Sequence, residues 1–376
     1  MKVLNIVGEY AEAKIFTTEE HPIEEYAGKQ IELLCNHPAF AGSKIRIMPD
    51  VHPGVVGTIG FTATLGPLVL PSVIGNDIGC GMTLAKVKTK GMEFQKLDAV
   101  IRDNVPSGFS VRNEPHHRAE EFDLSRMRCA EHVSKGKGMC SLGTLGGGNH
   151  FIEVDRDEEK NMYVLIHTGS RRLGKEVTDH YLRAGQEVLK SQGKDVPYEV
   201  TYLTGHLMEN YLHDLAVVQE FASLNREIIL AEIAKGMKWK VRETTDCIHN
   251  YVDFSSDVPM IRKGSISAKE GEPVIIPINM RDGVILGIGR GNEDWNCSAP
   301  HGAGRILKRE DVKKNHTVSA FKKEMEGIYS PSINAGTLDE APFAYRRMDE
   351  IRDAIAETVN VTKILRPIYN FKAGEE

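Results

Sequence analysis

The residues able to do chemistry in this chain sit in glycine-flanked turns. Asn76-Asp77-Ile78-Gly79-Cys80-Gly81 sets a carboxylate and a thiol three positions apart. Its glycines accept backbone angles that other residues resist. Alone, this stretch reads as a plain turn with a buried cysteine, since free cysteine behaves as a small hydrophobe. Four histidines in similar settings change that reading. His150 closes Gly143-Thr144-Leu145-Gly146-Gly147-Gly148-Asn149. His167 ends the apolar run Met162 to Ile166 and precedes Gly169, Arg171 and Arg172. His249 stands before Asn250, and His301 lies between Pro300 and Gly302, with Arg305 four residues on. Thiolate, imidazole and carboxylate together suit a divalent transition metal such as Mn, Zn or Fe. A thiolate has lone pairs enough to bridge two ions, and two adjacent ions can clamp both oxygens of a phosphoryl displacement. The arginines match phosphate oxygens, and Gly146 to Gly148 expose N–H groups that can form an anion-binding nest. Neither the P-loop nor the dinucleotide fingerprint fits, because no Gly-Lys-Ser/Thr occurs there and a strand follows in place of a helix. The pattern by itself gives a metal-dependent enzyme acting on phosphates.

Periodicity indicates what must hold these turns. Apolar spacing predicts helices over 23–34, 92–104, 175–192, 205–235 and near 345–358. Strands are expected at 44–49, 65–74, 82–87, from 151 onward, at 162–166 and across 274–289, the last broken by a turn at 279–283. Asp50-Val51-His52-Pro53-Gly54 reads as a polar loop, or as a support for the Asp77 turn. His116, His117 and His132 lie in a polar segment and read as solvated. His206 and His213 share a helix face without a third ligand and read as surface or core-edge groups. Lys235, Lys238, Lys240 and Arg242 around Trp239 form a basic stretch that suits a nucleic-acid backbone or a solvated face.

Bulk properties narrow the class. The 376 residues are 41% hydrophobic and 27% charged, with a net charge of -6. That composition is ordinary for a globular protein and gives no global basic signature for nucleic acid, though a local basic groove remains open. No apolar run approaches a membrane span, and the short run Val3 to Val7 is no signal-peptide core. The expected compartment is the cytoplasm. The six cysteines form no CxxC and no paired spacing, so in that compartment they are buried, metal-bound or catalytic rather than bridged. No linker, internal repeat or low-complexity stretch divides the chain, so a single domain over 1–376 is expected.

Six motifs, in order, resemble the RtcB RNA ligases: Asp77-Ile78-Gly79-Cys80-Gly81, Gly143 to Glu153, His167 to Gly174, His249-Asn250, Ser298 to Arg305, and Tyr369-Asn370-Phe371-Lys372. The resemblance runs from about Asp50 to Lys372. It implies an α+β fold with mixed sheets flanked by helices around a central metal and nucleotide cleft. It also implies a GTP- and Mn(II)-dependent ligase, using two ions, in tRNA splicing or RNA repair. Such a ligase joins an RNA 3′-phosphate or 2′,3′-cyclic phosphate to a 5′-hydroxyl, in some cases with an activating protein. By position, Cys80 would bridge the ions, with Asp77 and His150 on one and His167 and His249 on the other. His301 would be the nucleophile that becomes guanylylated. Asn149, Glu153, Ala303, Tyr345 and Lys372 would line the GMP pocket, and Arg171, Arg172, Asn250 and Arg305 would hold phosphates.

The chain departs from the better-known members in places, and it is compact, without the longer insertions of some relatives. Ile278-Asn279-Met280-Arg281 stands where many members carry Gly-Ser-Met-Gly, and Val284 stands near an expected guanine-contacting serine. Nucleotide selectivity is therefore open. Two other readings remain: a metal-dependent phosphoesterase or nuclease without guanylylation, and a non-catalytic RNA-binding paralogue.

Overall fold

The computed structural model describes residues 1–373. Its frame is a seven-stranded antiparallel sheet in the order Pro273–Asn279, Gly283–Gly289, Val359–Phe371, Phe151–Arg156, Met162–Thr168, Gly81–Lys88 and Lys240–Ile248. Side chains alternate across a strand, so both faces of this sheet carry a core. Ile152, Val154, Val164 and Ile166 face one way and meet Leu97 and Ile101 of the Phe94–Asn104 helix and Ile229 and Ile233 of the Gly205–Met237 helix. Leu84, Leu165 and Ile285 face the other way and meet Ile351 of the Met348–Ala354 helix. The long helix stops at Lys238, whose left-handed backbone (φ 56°) turns the chain into the last strand of the sheet.

A second, six-stranded sheet runs Lys2–Val7, Glu12–Thr17, Lys44–Pro53, Thr58–Thr64, Met260–Lys263 and Asn250–Asp253. Glu12–Thr17 and Lys44–Pro53 pair in parallel and the other neighbours pair antiparallel, so the sheet is mixed. Ala27, Ile31 and Leu34 recur at helical spacing on the Glu25–Cys35 helix and bury against Ile15, Ile45 and Phe61 of this sheet. A two-stranded ladder, Ser265–Ser267 with Ser298–Pro300, supports the His301 turn. The fold is α+β, as expected. Among the described residues, no helix is long and apolar enough to cross a membrane.

Two expectations fail on identifiable physics. The run 65–74 is not a strand. Pro67 and Pro71 remove the ladder's N–H donors, and Pro71 opens the short Pro71–Ile74 helix, where its fixed φ fits the first turn. The segment from Asp50 to Pro53 is not a loop. It continues the Lys44–Pro53 strand through a register shift between Ile47 and His52, and Asp50 is fully buried.

Candidate active site

The four histidines and Cys80 converge because of strand order. Phe151–Arg156, Met162–Thr168, Gly81–Lys88 and Lys240–Ile248 are consecutive and antiparallel, so a start, an end, a start and an end share one edge of the sheet. His150 precedes the first, His167 nearly ends the second, Cys80 precedes the third and His249 follows the fourth. At His249 the chain also leaves this sheet for the six-stranded one. The site therefore lies where the two sheets meet.

The donor atoms form a string. Asp77 Oδ2 lies 2.9 Å from His150 Nε2, and His150 Nε2 lies 3.6 Å from Cys80 Sγ. Cys80 Sγ is 3.3 Å from His167 Nε2, which is 3.4 Å from His249 Nε2. Cys80, His150 and His167 offer ligand atoms all within 4.8 Å of one another. Cys80 is thus central, with Asp77 toward one end and His249 toward the other.

The electrostatics favour a cation here. His167 donates Nδ1–H to the Asn149 carbonyl at 3.1 Å, so its Nε2 presents a lone pair to Cys80 and His249. Burial and the neighbouring histidines hold His167 and His249 well below the usual imidazole range, and both stay neutral. His249 Nδ1 is buried without a hydrogen-bond partner. Burial pushes the Asp77 carboxyl up, yet His150 and Arg171 hold it below the usual carboxylate range. Burial, reinforced by Asp77, pushes the Cys80 thiol well up. Neutral imidazoles, a carboxylate and a thiol that must shed its proton are the donor set of a transition-metal site.

Two adjacent residues of the Gly205–Met237 helix brace these turns. Arg226, fully buried, donates to Gly79 O at 2.9 Å and Thr168 O at 3.0 Å, and pairs with Asp246 at 2.6 Å. Asn225 Oδ1 accepts from Gly143 N and Thr144 N, and its amide donates to Gly169 O at 3.1 Å. At Gly169, a Cβ would stand 2.2 Å from Asp77 Oδ1, so only glycine lets that carboxylate sit there.

His301 stands beyond the string. Its ring centroid is 4.7 Å from that of His249, and its Nδ1 is 2.8 Å from the buried Asp50 Oδ2. It borders an open cleft lined by Asn149, Phe151, Glu153, Ala303, Arg305, Tyr345 and Lys372, and also by Ile278, Asn279 and Met280. His52 also faces the cleft. It donates Nδ1–H to Asp50 O, and burial pushes its imidazole down to about 4. In the cleft wall Glu340 is buried and ringed by cations. Lys372 and the Tyr345 hydroxyl each reach its Oε2 at 2.7 Å, and Arg309 and Arg305 reach Oε1 at 2.7 and 3.2 Å.

The family described as "tRNA-splicing ligase RtcB" matches residues 30–131 and 118–373. The chain belongs to the RtcB family. It is 28% identical to the RNA-splicing ligase RtcB of Escherichia coli K12, over 94% of this chain and 96% of that protein. It is 28% identical to the tRNA-splicing ligase RtcB of Nanoarchaeum equitans, over 87% of each. It is 26% identical to RtcB2 of Escherichia coli, over 93% of each.

In this RtcB-family chain most of the residues singled out by sequence meet at one place. Asp77, Cys80, His150, His167 and His249 form the string, and His301, Asn149, Glu153, Ala303, Arg305, Tyr345 and Lys372 line the cleft. The four phosphate candidates behave differently. Asn250 braces the turn, donating to Asp77 O at 3.2 Å and accepting from Gly264 N at 3.0 Å. Arg305 directs its guanidinium at Glu340, Tyr345 and the Asp339 carbonyl. Arg172 is exposed and pairs with Glu176 on its own helix, outside the cleft lining. Arg171 lies behind Gly146, where a Cβ would clash with its Nη1, and donates to Thr144 Oγ1 and Gly108 O. Sequence reasoning passed over Glu340, Arg309, Asn225 and Arg226. For the last two the signal was polar residues at helical positions that should be apolar.

Proposed function

We propose that this chain is an RNA ligase that joins 3′-phosphate or 2′,3′-cyclic phosphate ends to 5′-hydroxyl ends, using GTP and Mn(II). The observation that carries the reading is the position of His301, between the donor string and the cleft, with one ring nitrogen committed to Asp50. Membership of the RtcB family supports it.

Asp77, Cys80, His150, His167 and His249 would hold two divalent ions with Cys80 shared. When bound, these would neutralise triphosphate charge and orient the pyrophosphate leaving group. Asp50 keeps the His301 proton on Nδ1, so Nε2 carries the free lone pair. His301 Nε2 attacks the α-phosphorus of GTP. The N–P bond forms and the bond to pyrophosphate breaks. An oxygen of the RNA 3′-phosphate then takes the GMP from His301, which frees the imidazole. Attack of the 5′-hydroxyl on the activated 3′-phosphate closes the strand and expels GMP. A cyclic phosphate is first opened by water to a 3′-phosphate.

The cleft wall bears on the nucleotide. The Asn279 side chain is used within its own turn, bonding Arg281 N, Asp282 N and the Asp282 carboxylate. Val284 is buried in the core, away from the cleft lining. Neither reads a base edge, so recognition of guanine falls to other cleft groups.

The test is sealing of two RNA strands, one ending in 3′-phosphate and one beginning with 5′-hydroxyl, with and without GTP and Mn(II). Joined product that requires both supports the reading. Cleavage or dephosphorylation without joining would instead favour a phosphoesterase, and RNA binding without either reaction a non-catalytic role.

A further inference from the structure

Phe109 is 85% exposed, more than any other Phe, Tyr or Trp among the described residues. A single exposed apolar residue needs no explanation by itself. Its setting does. Phe109 occupies the tip of a tight turn, Ser107 to Ser110, closed by Ser110 N donating to Ser107 O at 3.2 Å. Gly108, with φ 63°, supplies the left-handed angle that such a turn requires. The turn is fixed to the candidate active site. Gly108 N donates to Gly146 O at 3.0 Å, Leu145 N donates to Pro106 O at 2.9 Å, and Arg171 donates to Gly108 O at 3.1 Å. Gly146 belongs to the loop that ends in His150, Arg171 and the His150 ring both lie over Gly146, and the Arg171 charge acts on Asp77. The aromatic ring is therefore held on the scaffold that carries the metal-ligand candidates.

A polar hollow opens beside the same turn. It is lined by Ser107, Gly108, Ser110, Arg102, Asn334 and Lys372, among others. Lys372 also lines the main cleft, so the two depressions adjoin. Arg102 is half-exposed and its guanidinium is fixed over Phe371, with a ring-centre distance of 5.4 Å, and to Asp98 at 2.9 Å. An exposed aromatic ring on a braced turn, beside a hollow that holds a fixed guanidinium with hydroxyl and amide groups, is what single-stranded RNA needs. The base stacks on the ring, the phosphate meets the cation and the ribose meets the hydroxyls.

We propose that Phe109 is a stacking platform for an unpaired base of the RNA strand whose end enters the active site, with Arg102 on the backbone of that strand. The proposal rests on the RNA-ligase reading and extends it to how the strand is held.

The test measures binding of a fluorescein-labelled single-stranded RNA decamer with a 3′-phosphate to the full chain by anisotropy, alongside sealing kinetics. Phe109→Ala and Phe109→Leu should each weaken binding on the order of tenfold. KM for RNA should rise while labelling of the protein by GTP is unchanged. Phe109→Tyr and Phe109→Trp should bind like wild type. Thermal melting of each variant should match wild type, because the side chain is outside the core. Wild-type affinity in Phe109→Ala or in Phe109→Leu overturns the platform and leaves the ring as a contact for a protein partner. Wild-type protein that neither binds nor seals RNA overturns the ligase reading itself, a distinct result because it appears before any substitution.

Discussion

The imidazole Nδ1 of His301 lies 2.8 Å from the carboxylate of Asp50, a residue 251 positions earlier and fully buried. This pair fixes the ring's tautomer and direction. Asp50→Asn should reduce the rate of histidine guanylylation by roughly 10²-fold or more, the usual scale for losing an orienting group in proton-coupled attack. Bound metal, measured by elemental analysis, should stay at wild-type level. Parallel loss of metal would mean that Asp50 acts through the fold.

Cys80 sits at the centre of the donor string. Burial and Asp77 raise its thiol, so on the proposed two-metal reading, loading with Mn(II) should displace a proton. Apparent metal affinity should therefore rise with pH. Calorimetry in buffers of different ionisation enthalpy should detect the released proton. Cys80→Ala should bind less metal and release less acid. Equal metal content in the variant would show that the thiol is not a ligand.

Glu340 makes stability depend on acid. Burial opposes its charge, but Lys372, Arg309 and Arg305 outweigh that and hold its folded pKa below the unfolded value. A carboxylate so depressed stabilises the fold fully above its unfolded pKa of about 4.3 and loses that contribution as pH falls below it. Glu340→Gln, which leaves Lys372 and Arg305 without a counter-charge while Arg309 keeps Asp339, should cost roughly 3–5 kcal/mol at pH 7. In urea unfolding, the gap between wild type and variant should narrow below about pH 4. A gap constant with pH would place the stabilisation elsewhere.

Arg226 joins Gly79 to Thr168 from within the long helix. Arg226→Met removes donors from two buried carbonyls and should destabilise by roughly 3 kcal/mol. It should also lower metal content, because both turns of the string lose their brace. A variant that is destabilised but retains full metal would separate the brace from the site.

The donor set was legible because Cys80, His150, His167 and His249 all lie at strand ends marked by glycine or asparagine, a local pattern. Their convergence follows from strand order, which the motifs alone do not state. Asp50 was assigned to a loop and to the Asp77 turn, since nothing in Asp50-Val51-His52-Pro53 reveals a contact with His301. Glu340 was invisible, because its significance comes from cations drawn from two distant segments, Arg305 with Arg309 and Lys372. Arg305 and Asn250 look like phosphate ligands by type, yet the fold uses their hydrogen bonds internally. The Leu65 to Ile74 run shows the complementary limit, in which apolar content suggested a strand and two prolines prevented one.

The most direct measurement incubates the protein with radiolabelled GTP and Mn(II), then locates any adduct by proteolysis and mass spectrometry. An acid-labile guanylyl group on His301, absent from His301→Ala, is the expected result. Unlabelled wild-type protein, or a His301→Ala variant that still labels, would contradict the assignment of His301 as the nucleophile.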